Sequence, residues 1–140
     1  MPINNCRIGS GVICHHEQLV NLYGCSIGYN TKIGTFVEIG KGVVIGHHCK
    51  IQSFAFISPG VTIGDYVFIG PHVCFTNVKL PKPGVDQRDN LLKTRIGNNV
   101  MIGANATILP GIIIDDNAVI GAGITVTKSV RAGEIIKKQD

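Results

Sequence analysis

The stretch that decides the fold is residues 27–75, IGYNTKIGTFVEIGKGVVIGHHCKIQSFAFISPGVTIGDYVFIGPHVCF. A step of six from Ile27 reaches Ile33, Ile39, Ile45, Ile51, Ile57, Ile63, Ile69 and Phe75, a large apolar residue every time. Glycine follows directly at Gly28, Gly34, Gly40, Gly46, Gly64 and Gly70. Four residues after each anchor comes a smaller side chain, in the series Thr31, Val37, Val43, Cys49, Ala55, Val61, Val67 and Val73. The pattern resumes at Ile96 and runs through Ile102, Ile108, Ile114 and Ile120 to Val126.

A period of six excludes the 3.6-residue helical period and is not merely a strand's period of two. It describes a short strand, a glycine-assisted corner, and the next short strand. Three hexads close a triangular coil of roughly eighteen residues, and coils stack at about 4.8 Å. The expected fold is all-β, a parallel β-helix filled by the anchors and the smaller residues. Cys25 and Cys49 fall on inward positions and read as inert core thiols.

Outward from this stretch the pattern loosens. Ile3, Ile8 and Ile13 are five apart, so residues 1–26 read as an irregular N-terminal coil capping the open end. Residues 76–95 carry no anchors and read as a protruding loop, and so long an excursion from a compact repeat is usually functional. Residues 131–140 read as a short closing strand and tail. The 140 residues fit a single domain, 1–140.

Composition agrees with a turn-rich β protein: 18 glycines, 6 prolines, 44% hydrophobic, 16% charged and no tryptophan. A net charge of +4 suits ordinary solubility or attraction of small polyanions. Basic residues are scattered without aromatic interleaving, which argues against nucleic acid. Five cysteines without CxxC spacing argue against a disulfide framework or zinc knuckle. With no leader and no long apolar run, the expectation is a soluble cytoplasmic protein without membrane insertion.

Several segments resemble the hexapeptide-repeat acyltransferases: IGPHVCFTNVKLPKP (69–83), KTRIGNNVMIGANATILPG (93–111) and VIGAGITVTKSV (119–130). NLYGCSIGYNTKIGTFVEIG (21–40), then CKIQ (49–52) and FTNV (75–78) with a following proline, are similar to one branch, the N-acetyltransferases of nucleotide-linked amino sugars. The resemblance covers about residues 20–130 and implies a left-handed β-helix, the exception to right-handed crossovers. It also implies a homotrimer with acetyl-CoA as cosubstrate in the cleft between prisms. Its pantetheine arm would follow backbone groups at Gly103, Ala104, Gly121 and Ala122, with Lys128 and Arg131 near the phosphates. Small residues at such corners let a ligand approach the backbone. Where relatives continue into a G-x-P-A-[RK] segment near the adenine, this chain reads GEIIKKQD, so adenine contacts are reduced or made by Lys137 and Lys138.

The O-acetyltransferases of the superfamily carry a loop histidine as general base, and the matching position here is Leu80, in a loop without histidine. A hydroxyl needs such a base. An amine with a pKa of about 8 is on the order of one-tenth neutral at pH 7 and can manage without one. The loop therefore favours N-acylation, and the branch it resembles implies a nucleotide-diphospho amino sugar made for surface polysaccharide as the acceptor. Asn77 of FTNV is the expected orienting group and His72 the candidate proton acceptor. Glu38 and Gln52 are expected on the acceptor side, and Lys82 and Arg88 at the diphosphate. Ser53 and Phe54 stand where that branch has two asparagines. The alternatives are an O-acetyltransferase of a sugar or other small hydroxyl acceptor, and a non-catalytic β-helix scaffold. A zinc carbonic anhydrase fits poorly, because His47 and His48 lie 25 and 24 residues from His72 and not near eighteen; no metal is expected.

Overall fold

The computed structural model describes residues 2–138. It is a left-handed β-helix whose short strands form three parallel sheets of seven, six and seven strands. Face A includes Glu38–Ile39, Phe56–Ile57 and Cys74–Phe75. Face B includes Val44–Ile45, Val61–Ile63 and Thr94–Ile96, and face C includes Lys50–Ile51, Phe68–Ile69 and Met101–Ile102. The second residue of each pair points inward, so identical side chains stack. Face B runs Ile27, Ile45, Ile63, Ile96, Ile114 in register, and face C runs Ile33, Ile51, Ile69, Ile102, Ile120. These anchors are essentially inaccessible, as are Cys25 and Cys49. Among the described residues no helix is long and apolar enough to cross a membrane.

The glycines after the anchors do not make the corners turn. The left-handed residue sits three positions after each anchor, at Asn30, Phe36, Gly42, His48, Phe54, Gly60, Tyr66 and His72, then Asn99, Asn105, Gly111, Asn117 and Gly123. The glycines directly after the anchors permit close stacking instead. A Cβ at Gly28 would lie 2.5 Å from the Gly46 carbonyl, and one at Gly103 2.6 Å from the Ala122 nitrogen. The sequence reading gave glycine the turn; the coil above it is what requires it.

The terminal coil is complete, with strands Ile3–Asn4, Arg7–Ile8 and Ile13–Cys14 on faces A, B and C. Its irregularity is in the corners. The A-to-B corner is one residue short in the first two coils, from Ile3 to Ile8 and from Leu22 to Ile27. The C-to-A step from Cys14 to Leu22 is two residues longer than the regular six, with a 3-10 turn at Glu17–Leu19. Cys14, not Ile13, takes the inward place, opposite Ile33. Ile135–Ile136 closes face C against Val119–Ile120; the last two residues of the tail lie outside the described residues.

The excursion after Phe75 is shorter than the anchors suggest. Thr94 and Arg95 already belong to face B, paired with Val61 and Thr62. Ile63 and Ile96 are register partners 33 apart instead of 18, so fifteen residues are inserted and no face is skipped.

Candidate functional site

The loop, residues 76–93, leaves the prism at the edge between faces A and B. Its base is tied twice: the Asn77 side-chain amide donates to the Pro59 carbonyl at 3.0 Å, and Leu92 N–H donates to the Asn77 carbonyl at 2.8 Å. Between the loop and residues 109–111 lies a cleft of about 520 Å³, lined by Thr76, Val78, Lys79, Leu92, Leu109 and Pro110 among others. Leu80 is 74% exposed and Val85 55%, an apolar tip without cover among the described residues.

Face A is bounded by this edge and by the edge between faces C and A. Its outward residues Glu38, Phe56, Cys74, Thr107 and Thr125 stand in register, one per coil. Glu38 is half-buried; its carboxylate accepts from the Asn21 amide at 3.2 Å and the Tyr23 hydroxyl at 3.3 Å. Burial, and then the Glu38 charge, push the Tyr23 phenol up. Burial pushes the Cys74 thiol up, which disfavours its nucleophilic form.

Along the C–A edge Phe36, Phe54 and His72 stack, with centroids 5.0 and 4.7 Å apart and the His72 ring within 3° of Phe54. All three are left-handed, a conformation that bulky residues seldom adopt. Phe36 is 52% exposed and Phe54 49%. The same left-handed aromatic stacking recurs at His48 and Tyr66 on the B–C edge. The third position after the anchor was the signal in the sequence: along the C–A edge it reads Phe36, Phe54 and His72, then Asn105 and Gly123.

The expected site residues separate along these edges. Glu38 faces outward from A; Gln52 and His72 occupy its C–A edge and Asn77 its A–B edge. Gly103, Ala104, Gly121 and Ala122 continue the C–A edge above His72. Lys128 lies across face A on the A–B edge. Arg131 lies on the B–C edge, because Val130 bridges Ile114 of face B; its N–H donates to Glu134 Oε1. The chain thus does not gather Lys128 and Arg131 with the small corners. Arg88 is engaged by Asp86, with Nε at 3.0 Å and Nη2 at 2.6 Å from the carboxylate. That ion pair neutralises Arg88, whereas the Lys82 ammonium makes no ion pair among the described residues.

The B–C edge carries a different device. Tyr29 N–H donates to His47 Nδ1, His47 N–H to Asp65 Oδ1, Asp65 N–H to Asn98 Oδ1 and Asn98 N–H to Asp116 Oδ1, all at 2.7–2.9 Å. His47 stacks on Tyr29, and His48 on Tyr66. His47 is therefore a structural acceptor, not simply a solvated side chain, and His47 and His48 stand on a different edge from His72. His15 and His16 are exposed.

Comparison with known proteins accords with this architecture. Residues 24–59 and 42–77 match the family described as bacterial transferase hexapeptide (six repeats), and residues 93–128 match the hexapeptide repeat of succinyl-transferase. The chain is 36% identical over 121 residues to the bifunctional protein GlmU of Streptococcus uberis, covering 86% of this chain and 20% of that protein. It is 54% identical over 44 residues to the putative acetyltransferase YvoF of Bacillus subtilis, covering 31% and 26%. The chain thus spans 20% and 26% of the length of these two curated relatives. Among solved structures, a variant of AntD, an N-acyltransferase from Bacillus cereus in complex with dTDP-4-amino-4,6-dideoxyglucose and coenzyme A, superposes with a TM-score of 0.76. Identity is 21%, over 93% of this chain and 76% of that one. The acetyltransferase domain of PglB from Neisseria gonorrhoeae gives 0.66 at 15% identity, over 94% and 50%. These likenesses show the fold.

Proposed function

The chain belongs to the hexapeptide-repeat superfamily of transferases, and from that premise we propose that it is a cytoplasmic, homotrimeric N-acetyltransferase of a nucleotide-diphospho amino sugar. Acetyl-CoA is the donor, and the product serves surface polysaccharide. The observation that carries this reading is the loop: it has no histidine and rises from the A–B edge, where Asn77 ties its base, beside the face that carries Glu38 and has His72 on its opposite edge. The AntD variant, bound to an amino sugar nucleotide and coenzyme A, adds support through its shared fold.

The acceptor nitrogen attacks the thioester carbonyl carbon. A C–N bond forms, the C–S bond breaks, and the nitrogen's proton ends on the coenzyme A sulfur, directly or through His72. Asn77 spends one N–H on Pro59 and makes no other side-chain hydrogen bond among the described residues. Its remaining N–H and its Oδ1 are left to orient the acceptor and meet the developing oxyanion. The stack against Phe54 fixes the His72 ring plane beside the same face. Gly103, Ala104, Gly121 and Ala122 admit the pantetheine arm to the C–A backbone edge. Lys128, Arg131 and the uncovered loop tip then act from a neighbouring prism, which is why the site needs a trimer. Of the two cations expected at the diphosphate, Lys82 is the one not held in an ion pair among the described residues.

Mass spectrometry of products from a panel of nucleotide amino sugars with acetyl-CoA is the test. A hydroxylamine-resistant amide is expected. A hydroxylamine-labile ester as the main product would select the O-acetyltransferase reading, and no turnover with intact coenzyme A binding would refute the acceptor class. Sedimentation equilibrium should give three protomers; a monomer at micromolar concentration would sink the shared site.

A further inference from the structure

At the N-terminal end of face A lies an open groove of about 370 Å³, lined by Leu19, Asn21, Phe36 and Glu38 among others. Its polar centre is the Glu38 carboxylate. Two neutral donors hold that carboxylate, Asn21 Nδ2 on one oxygen and the Tyr23 hydroxyl on the other, and no cation reaches it: the described residues contain one ion pair, Arg88–Asp86, on the distant loop. The walls mix apolar and polar groups, Leu19, Val20 and Phe36 beside Gln18 and Asn21. Phe36 presents a half-exposed ring, fixed in the left-handed backbone two residues before Glu38, and Leu19 closes the far side by accepting the Phe36 N–H on its carbonyl at 2.7 Å.

A half-buried carboxylate gains most from a cation that also brings its own apolar body. Asn21 and Tyr23 fix its position but leave its charge uncompensated. An aromatic ring beside it favours a cation further. A hydroxyl ligand would gain only a neutral hydrogen bond and would compete with Tyr23 for the same oxygen. The geometry points to a site for a primary ammonium carried on a sugar-sized apolar frame: Glu38, positioned by Asn21 and Tyr23 and walled by Phe36, binds the amino group of the acceptor. This rests on the amino-sugar reading above and adds what selects the amine over the hydroxyl. Face A leads from this groove along Phe56 and Cys74 to the level of Asn77 and the loop, two coils away. The ammonium is therefore read on arrival, before its nitrogen is presented to the thioester.

The test is titration calorimetry on the full chain without acetyl-CoA. The probes are 2-, 3- and 4-amino sugars linked to dTDP or UDP, each paired with its hydroxy counterpart. At pH 7 at least one amino member should bind on the order of tenfold tighter than its hydroxy partner, the worth of one hydrogen bond to a charged group. Glu38→Gln keeps partners for Asn21 and Tyr23 and should abolish that preference while binding of coenzyme A is unchanged. Tyr23→Phe should leave the preference in place but weaken it. Retained discrimination in Glu38→Gln, or no amine preference in the unaltered protein, overturns the inference. Glu38-dependent amine preference without acetyl transfer would overturn the proposed reaction and leave this site standing; turnover of amino sugars with unaltered discrimination in Glu38→Gln would do the reverse.

Discussion

Gly103→Ala separates a glycine that stacks from a glycine that binds. Gly103 lies on the edge proposed for the pantetheine arm, so a loss on substitution invites a ligand explanation. The coordinates supply another. An added Cβ would stand 2.6 Å from the Ala122 nitrogen and 2.9 Å from its Cα, both backbone atoms, against an ordinary contact of 3.4 Å. Two coils must part locally by the difference, 3.4 minus 2.6, or 0.8 Å. The bond from Gly103 N–H to the Ile120 carbonyl, now 2.8 Å, would be stretched beyond useful length. Overpacking costs about 1–3 kcal/mol and the lost hydrogen bond about 1. At roughly 3 °C per kcal/mol for a chain of this size, Tm should fall by about 6–12 °C. Gly123→Asn on the same edge is the control: φ is +72°, nothing lies within 4 Å of its Cβ, and asparagine already fills the equivalent place at Asn105. Its Tm should move by about 2 °C or less. Differential scanning calorimetry without ligand, at one protomer concentration, decides. An unchanged Tm in Gly103→Ala with a raised KM for acetyl-CoA would refute the stacking argument.

His47→Ala removes the acceptor of the Tyr29 N–H and should cost about 1 kcal/mol by chemical denaturation, with His47→Asn recovering part of it. Burial first, then the hydrogen bond with Cys6, push the Cys25 thiol up to about 12, so stability is full below the ordinary thiol range and falls as pH rises from there toward 12. Cys25→Ala should flatten that alkaline limb, read as Tm against pH. Asn77→Ala should lower kcat about a hundredfold, whereas Asn77→Asp sets a carboxylate against the Pro59 carbonyl and should also loosen the loop, seen as faster proteolysis within residues 76–93. Arg88→Ala should leave acceptor KM unchanged, because Asp86 already neutralises that guanidinium on an exposed loop.

The fold was legible because its determinant is local and repeated. Each hexad states its own anchor, and fifteen of them agree, so Ile27 to Phe75 and Ile96 to Val126 fall where periodicity places them. The corner chemistry was less legible. A glycine after every anchor looks like a turn former when read along one strand, and only the adjacent coil reveals that its missing Cβ clears a backbone atom. The true left-handed position was visible as a column, but it mixes Asn and Gly with Phe, Tyr and His, residues that no turn rule groups together.

The site resisted for a related reason: its residues meet across coils, through exceptions to the repeat. Counting eighteen back from Glu38 gives Val20, a core residue. The actual partner is Asn21, seventeen away, because the A-to-B corner from Leu22 to Ile27 is one residue short. Tyr23 reaches the same carboxylate only through that shift. Val130, likewise, bridges Ile114 at sixteen residues, which sends Arg131 to the B–C edge and away from the small corners it was grouped with. Short motifs preserve which residues are present, but the edge each one occupies is fixed by the cumulative length of every corner before it. A regular hexad therefore specifies the scaffold, and its irregular hexads specify where chemistry can assemble.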